Sequence, residues 1–130
     1  MKSINDILKN AKEANGVKGG RNVVSISITN HRNGKRITLS PALYEGLNKP
    51  DKLKFAFNDE EKVMLIASEL DGIKNAYQVK GDDRAIIYNS SLVECATDAM
   101  QLDFSDVSSM TFTNIELIDN DDVCVAYIQF

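Results

Sequence analysis

The chain has few of the residues on which chemistry is usually built. It contains one histidine, two cysteines and two prolines in 130 residues. Cys95 and Cys124 stand far apart, with no CxxC pair and no Cys/His cluster. That excludes a disulfide framework and a cysteine-rich zinc site, and it fits a reducing cytoplasm. Both cysteines have apolar neighbours and are expected as buried free thiols. His31 lies beside Arg32 with no cysteine or fixed aspartate near it in sequence, so neither a catalytic triad nor a zinc ligand set is suggested. No G-x-S-x-G, P-loop, G-x-G-x-x-G or H-E-x-x-H occurs. No stretch reaches the ~20 apolar residues of a membrane span. The opening residues Met1 to Asp6 lack the apolar segment of a secretory signal, and Asp6 and Glu13 argue against a transit peptide.

What is present is an ordinary globular composition with uneven charge. The chain weighs 14.4 kDa, is 43% hydrophobic and 26% charged, which suits one domain with one core. Residues 1–54 carry 11 Lys/Arg against 4 Asp/Glu, a net of +7, and residues 55–130 carry 4 against 15, a net of −11. Such asymmetry points to a charged partner for one half, or to attraction between the halves. The plain alternative is a solvated surface with unevenly placed charge.

Hydrophobic periodicity gives the elements. Ile4, Ile7, Leu8 and Ala11 form one stripe, predicting a helix over residues 3–15 that starts at Ser3 and stops at Gly16. It is expected to cover a sheet face. Gly19-Gly20 is a joint; Lys18 and Arg21 around it would suit a phosphate only weakly. Val24, Ile26 and Ile28 alternate with Ser25, Ser27 and Thr29, a half-buried strand over 22–30. Asn33-Gly34 predicts a type I′ turn, with a return strand at 35–39. Ser40-Pro41 is a cap followed by proline at the first helical position, and Leu43 and Leu47 share the face of a short helix. Leu53, Phe55 and Phe57 alternate on a strand, and Val63 to Ala67 form an apolar one.

The order then recurs: a strand with Tyr77 and Val79, the turn Gly81-Asp82-Asp83, a strand at 84–88, and a helix. Ser91 and Glu94 predict a capping box, with Leu92, Cys95 and Ala99 on the buried face. Strands at 110–118 and 123–130 enclose the turn Asp119 to Asp122, and the second strand, apolar on both faces, is expected to be internal. The fold class is therefore α+β: two strand-strand-helix-strand-strand units (21–72 and 73–130) in a mainly antiparallel sheet or small barrel, plus an N-terminal helix, all in one domain. Arg36 to Leu39 corresponds to Arg84 to Ile87, Leu43-Tyr44-Glu45 to Leu92-Val93-Glu94, and Asn58 to Glu61 to Asp119 to Asp122.

Residues Arg36-Ile37-Thr38-Leu39-Ser40-Pro41-Ala42-Leu43, Leu47, Asp51-Lys52-Leu53-Lys54-Phe55 and Val63-Met64-Leu65 resemble the AbrB/SpoVT swapped-hairpin unit. The resemblance lies within residues 36–67, and the second half matches in the order of elements. It implies a small barrel of two units, DNA binding, and a role as transcription regulator or antitoxin. A duplicated strand-helix-strand unit is also similar to one sliding-clamp domain.

Two macromolecular readings follow, neither enzymatic and neither requiring a cofactor or metal. The Asp119-Asn120-Asp121-Asp122 run fails as a calcium loop, because its sixth and twelfth positions are Cys124 and Phe130. In the first reading, Asp82, Asp83, Asp98, Asp103, Asp106, Glu116, Asp119, Asp121 and Asp122 present carboxylates to a basic, nucleic-acid-binding protein. In size and charge the chain then resembles small phage-type inhibitors of defence nucleases, anti-CRISPR proteins among them. In the second, Arg21, His31, Arg32, Lys35 and Arg36 around the first hairpin contact DNA. A purely structural or oligomerising module is a third. Acidity of the whole chain favours the first. No membrane partner is expected, and the chain is expected as a monomer or homodimer.

Overall fold

The structure is a computed structural model and describes residues 23–120 and 122–130. The expected helix at 3–15, the glycine joint, Arg21 and Asp121 lie outside the described residues.

Alternation of apolar and hydroxyl side chains sets the first hairpin. β1 (Ile26–His31) and β2 (Gly34–Leu39) pair antiparallel, with Ile26 opposite Leu39 and Ile28 opposite Ile37. All four are fully buried, while Ser27, Thr29, Arg36 and Thr38 point the other way, as the period of two demands. The turn is centred on Arg32-Asn33, and neither residue has positive φ. The expected type I′ turn on Asn33-Gly34 is therefore corrected. The far end of the hairpin explains it. Ser40 N–H donates to the Ser25 carbonyl at 2.9 Å, and Ser25 N–H donates to Ser40 Oγ at 3.0 Å. That clamp sets the register, and the turn follows.

Ser40 is also the cap of α1 (Pro41–Gly46): its Oγ accepts from Leu43 N–H at 3.3 Å, and Pro41 opens the helix. Leu43, Tyr44 and Leu47 are buried beneath it. A Cβ on Gly46 would stand 2.5 Å from Leu117 Cδ1, so glycine lets α1 approach the strand that carries Leu117. β3 (Lys52–Asn58) and β4 (Val63–Ala67) form the second hairpin. β5 (Tyr77–Gln78) and β6 (Ala85–Ile87) are short.

α2 (Ser90–Met100) is capped by Asn89, whose side chain accepts from Leu92 N–H at 2.8 Å. This corrects the expected cap at Ser91. Leu92, Val93, Ala96 and Met100 face the core, and Cys95 is exposed, not buried. Cys124 is half-buried. The expected strand at 110–118 is two strands, β7 (Ser109–Phe112) and β8 (Ile115–Asn120), and β9 (Val123–Gln129) completes the fold.

Every pairing is antiparallel, and the strands divide between two sheets: β6-β2-β1-β7, and β5-β3-β4-β9-β8. Each sheet takes strands from both halves of the chain. β9 is internal, as its apolar sequence requires. Lys80 and Ile86 exchange two 2.8 Å backbone bonds, an isolated bridge between the chain after β5 and β6. The inward faces of both sheets, α1 and α2 share one core, from Ile28, Ile37 and Ile87 to Leu53, Phe55, Met64 and Ile128. Among the described residues no helix is long and apolar enough to cross a membrane.

The Gly81 turn gives the first test. Gly81 has φ +100°, and a Cβ there would lie 2.4 Å from the Arg84 carbonyl oxygen. Gly81→Ala combines a forbidden conformation with a backbone clash and is expected to cost about 2 kcal/mol or more. Urea unfolding measures it; an unchanged midpoint would contradict this turn geometry.

Candidate macromolecular interfaces

The candidate carboxylates separate into distinct places. Asp82 and Asp83 are exposed in the loop between β5 and β6. Glu116 is half-buried on β8, and Asp119, near the end of that strand, lies opposite Cys124. Asp122 occupies the β8–β9 turn with φ +72°. Among the described residues no three His, Cys, Asp or Glu side chains come together as a metal site.

Asp98, Asp103 and Asp106 are different, because one short segment holds all three. Asp98 is in the last turn of α2, where the helix carries the negative end of its dipole. A carboxylate is locally unfavourable there, and no basic residue occupies that turn. Gln101 then adopts a left-handed conformation, φ 54°, and its N–H donates to Asp98 O. In the following loop Leu102 and Phe104 are half-buried against the core, while Asp103, Ser105, Asp106 and Val107 are exposed. Asp103 Oδ1 accepts from Ser105 N–H at 2.9 Å, and the Ser105 hydroxyl and amide together hold the Asp103 carboxyl below its ordinary pKa. It is therefore charged at neutral pH.

This segment is fixed at both ends. Thr97 Oγ1 accepts from Asn30 Nδ2 at 2.9 Å and donates to Val93 O at 2.8 Å. Asn30 N–H donates to Ser108 O at 2.9 Å. The carboxylates thus sit on a segment, helix end and loop, pinned to β1. Val107, 47% exposed, follows Asp106 in the same loop. Sequence reading missed Val107, because exposure of a single valine leaves no sequence signal. From Ala85 to Phe130 there is no lysine or arginine, so no basic neighbour along this half of the chain neutralises the segment.

The basic residues of the first hairpin do not share one face. Lys35 points to the α2 side, where Nζ meets Glu94 Oε1 at 2.5 Å. This hydrogen bond, with the charge of Lys35, holds Glu94 below the ordinary carboxylate range. Glu94 therefore supports the folded state above its unfolded pKa, and this contribution fades as pH falls through the lowered folded value. Arg36 and His31 lie on the outward face instead, and Arg32 is exposed in the turn. The same face bears hydroxyls that the alternation of Ser27 and Thr29 foreshadowed. Ser27 Oγ and Thr111 Oγ1 are 2.8 Å apart, and Thr29 Oγ1 donates to Ser109 Oγ at 3.2 Å. His31 Nδ1 accepts from Asn33 N–H at 3.1 Å, leaving Nε2 to donate outward.

Comparison with protein-family models, curated proteins and solved structures finds no match for this chain.

The cysteines provide a local test of the β8–β9 geometry. Burial, and secondarily Asp119, push the Cys124 thiol up from its ordinary value, whereas Cys95 is exposed. A thiol reagent at neutral pH is expected to modify Cys95 first and Cys124 at least about tenfold more slowly. Equal rates would contradict the placement.

Proposed function

We propose that this protein is a non-enzymatic regulator that docks its carboxylates on a basic, nucleic-acid-binding protein, in the manner of small inhibitors of defence nucleases. The observation that carries the reading is the Asp98–Val107 segment: one exposed carboxylate in the last turn of α2, and two more with an exposed valine in the loop that follows, tied to β1 through Thr97 and Ser108. The two ion pairs among the described residues use other carboxylates, Glu94 and Glu69. Asp98, Asp103 and Asp106 therefore have no such partner there to surrender on binding. Preformed geometry lowers the ordering cost of association, and a charged rim speeds encounter with a basic surface. Asp82, Asp83, Glu116, Asp119 and Asp122 lie elsewhere in the fold and, with Asp121 outside the described residues, add to the net negative charge of the chain.

The test is DNA cleavage by purified RNA-guided nucleases, whose nucleic-acid channels are strongly basic. The reading predicts that the protein slows cleavage by a susceptible nuclease and binds it in a salt-dependent manner. Binding unaffected by charge reversal of Asp98, Asp103 and Asp106 would contradict it.

A second reading rests on the hairpin face. Arg36 and His31 project among Ser27, Thr29, Thr38, Ser109 and Thr111, with no carboxylate among these strand positions. Hydroxyls and guanidinium groups are suited to phosphate oxygens, and a two-stranded ribbon fits the major groove of B-DNA. The AbrB/SpoVT resemblance of residues 36–67, and the duplicated order of elements it suggests, point the same way. Under this reading, random duplex DNA binds at low salt and dissociates as salt rises, and Arg36→Glu abolishes binding where Lys35→Glu does not. Absence of binding at low salt would exclude it.

A further inference from the structure

Among the described residues four strands stand at sheet edges, and three of them are short. β5 has two residues, β6 three and β7 four, and the outer side of β6 is bridged by Lys80. Short or covered edges are how sheets avoid unwanted pairing. β8 is the exception, with six residues, no proline and no lysine. The register decides which of its backbone groups face outward. Gln129 N–H donates to the Asn114 carbonyl at 3.0 Å. Glu116 and Ile118, in step with Asn114, therefore also turn their N–H and C=O toward β9. Leu117 and Asp119 turn theirs away. Among the described residues, neither has a backbone partner on that side. Unpaired backbone groups along an edge are a template for a further strand.

We infer that the β8 edge docks an extended, basic segment of a partner protein, added antiparallel as a further strand. Side chains along the edge select that occupant. Glu116 and Ile118 share one face of β8, and Leu117 and Asp119 share the other. Ile118 is 40% exposed at the border, while Leu117 is half-buried against the core. Directly opposed side chains on paired strands share a face and interact. The partner strand therefore places a cation beside Asp119, apolar side chains beside Ile118 and Leu117, and a cation beside Glu116. In its own chain direction that reads Lys-Val-Val-Lys. Glu116 and Asp119 take part in neither ion pair of the described residues, so both carboxylates are available to it. A second copy is a poor occupant. β8 against β8 brings carboxylates together, and no lysine or arginine lies between Ala85 and Phe130 to offset them.

This edge is independent of the acidic docking segment, which lies on the helix and loop before β7, so neither reading depends on the other. The probe is the capped peptide Thr-Lys-Val-Val-Lys-Thr, titrated up to about millimolar into the isotope-labelled full chain. Amide resonances and amide exchange report on it. In the chain alone, the Leu117 and Asp119 amides are expected to exchange fast. With peptide bound, both are expected to slow about tenfold or more, because each gains a main-chain partner. The same peptide with glutamate in place of lysine is expected to bind at least about tenfold more weakly. N-methylation of its first lysine and second valine, opposite Asp119 and Leu117, removes two donors and is expected to abolish the protection. Glu116→Lys is expected to weaken binding of the lysine peptide about tenfold, with circular dichroism confirming that the variant is folded. Slow exchange of Leu117 and Asp119 in the chain alone overturns the inference, because the edge is then already covered. Absence of peptide-dependent protection at these two amides also overturns it. So does equal binding of the N-methylated peptide, which assigns the attraction to charge alone.

Discussion

Ile37→Ala is expected to destabilise the protein by about 3–4 kcal/mol, within the usual range for a buried isoleucine reduced to alanine. Ile37 is fully buried on β2, opposite Ile28 on β1 and Ile87 on β6. Those strands come from both halves of the chain, so the cavity would open where the halves meet. Neighbouring strands hold the backbone, and the site cannot collapse to fill it. Ordinary domains are stable by only about 5–15 kcal/mol, so this one change consumes a large share. Thr38→Ala, on the outward face of the same strand, is the control and is expected to cost about 1 kcal/mol or less. Urea denaturation of both variants measures the difference. Equal midpoints would contradict the assignment of inward and outward faces.

The second large effect concerns binding. Reversal of Asp98, Asp103 and Asp106 together to lysine changes the charge by six units on one segment, the last turn of α2 and the loop after it. Association with a basic nuclease is expected to weaken at least about 100-fold, most of it in the association rate, because charge steering separates fast from ordinary encounter by orders of magnitude. The variant should fold normally, since all three side chains are exposed and removal of a carboxylate from the C-terminal turn of α2 relieves an unfavourable interaction with the helix dipole. The same reversal at Asp119 and Asp122, at the β8–β9 turn, is expected to have a smaller effect. Comparable losses at both places would mean that overall charge, rather than the Asp98–Val107 segment, directs binding.

Local order in this protein was legible where one local force dominates. The alternation over 24–30 and 53–57 identified strands because a two-residue period survives any sheet arrangement. Ser40-Pro41 identified α1 because the cap and the proline act within one turn. At Asn89-Ser90-Ser91 three cap-forming residues compete, and burial of Leu92, Val93, Ala96 and Met100 selects the first. The same selection turns Cys95 to solvent. At the first hairpin, the Ser25–Ser40 clamp sets the register over the preference of Asn33-Gly34.

Partition of the strands between two sheets was not legible. It depends on pairings such as β1 with β7 and β4 with β9, which join residues 60 or more positions apart and leave no local pattern. The division of candidate residues follows from it. Lys35 and Arg36 are adjacent in sequence but face opposite sides of a strand, one to Glu94 and one to solvent. Asp98, Asp103 and Asp106 share one short segment, the last turn of α2 and the loop after it, which is tied to β1. Asp82 and Asp122 shared their charge in sequence but not their place in the fold.

Hydrogen exchange of the full chain, alone and mixed with a basic RNA-guided nuclease, tests the proposed docking most directly. Docking through the acidic segment predicts slowed exchange over residues 97–108, with the outward face of the first hairpin unchanged. Protection confined to residues 31–36, with 97–108 unchanged, would contradict the account and assign binding to the basic hairpin instead.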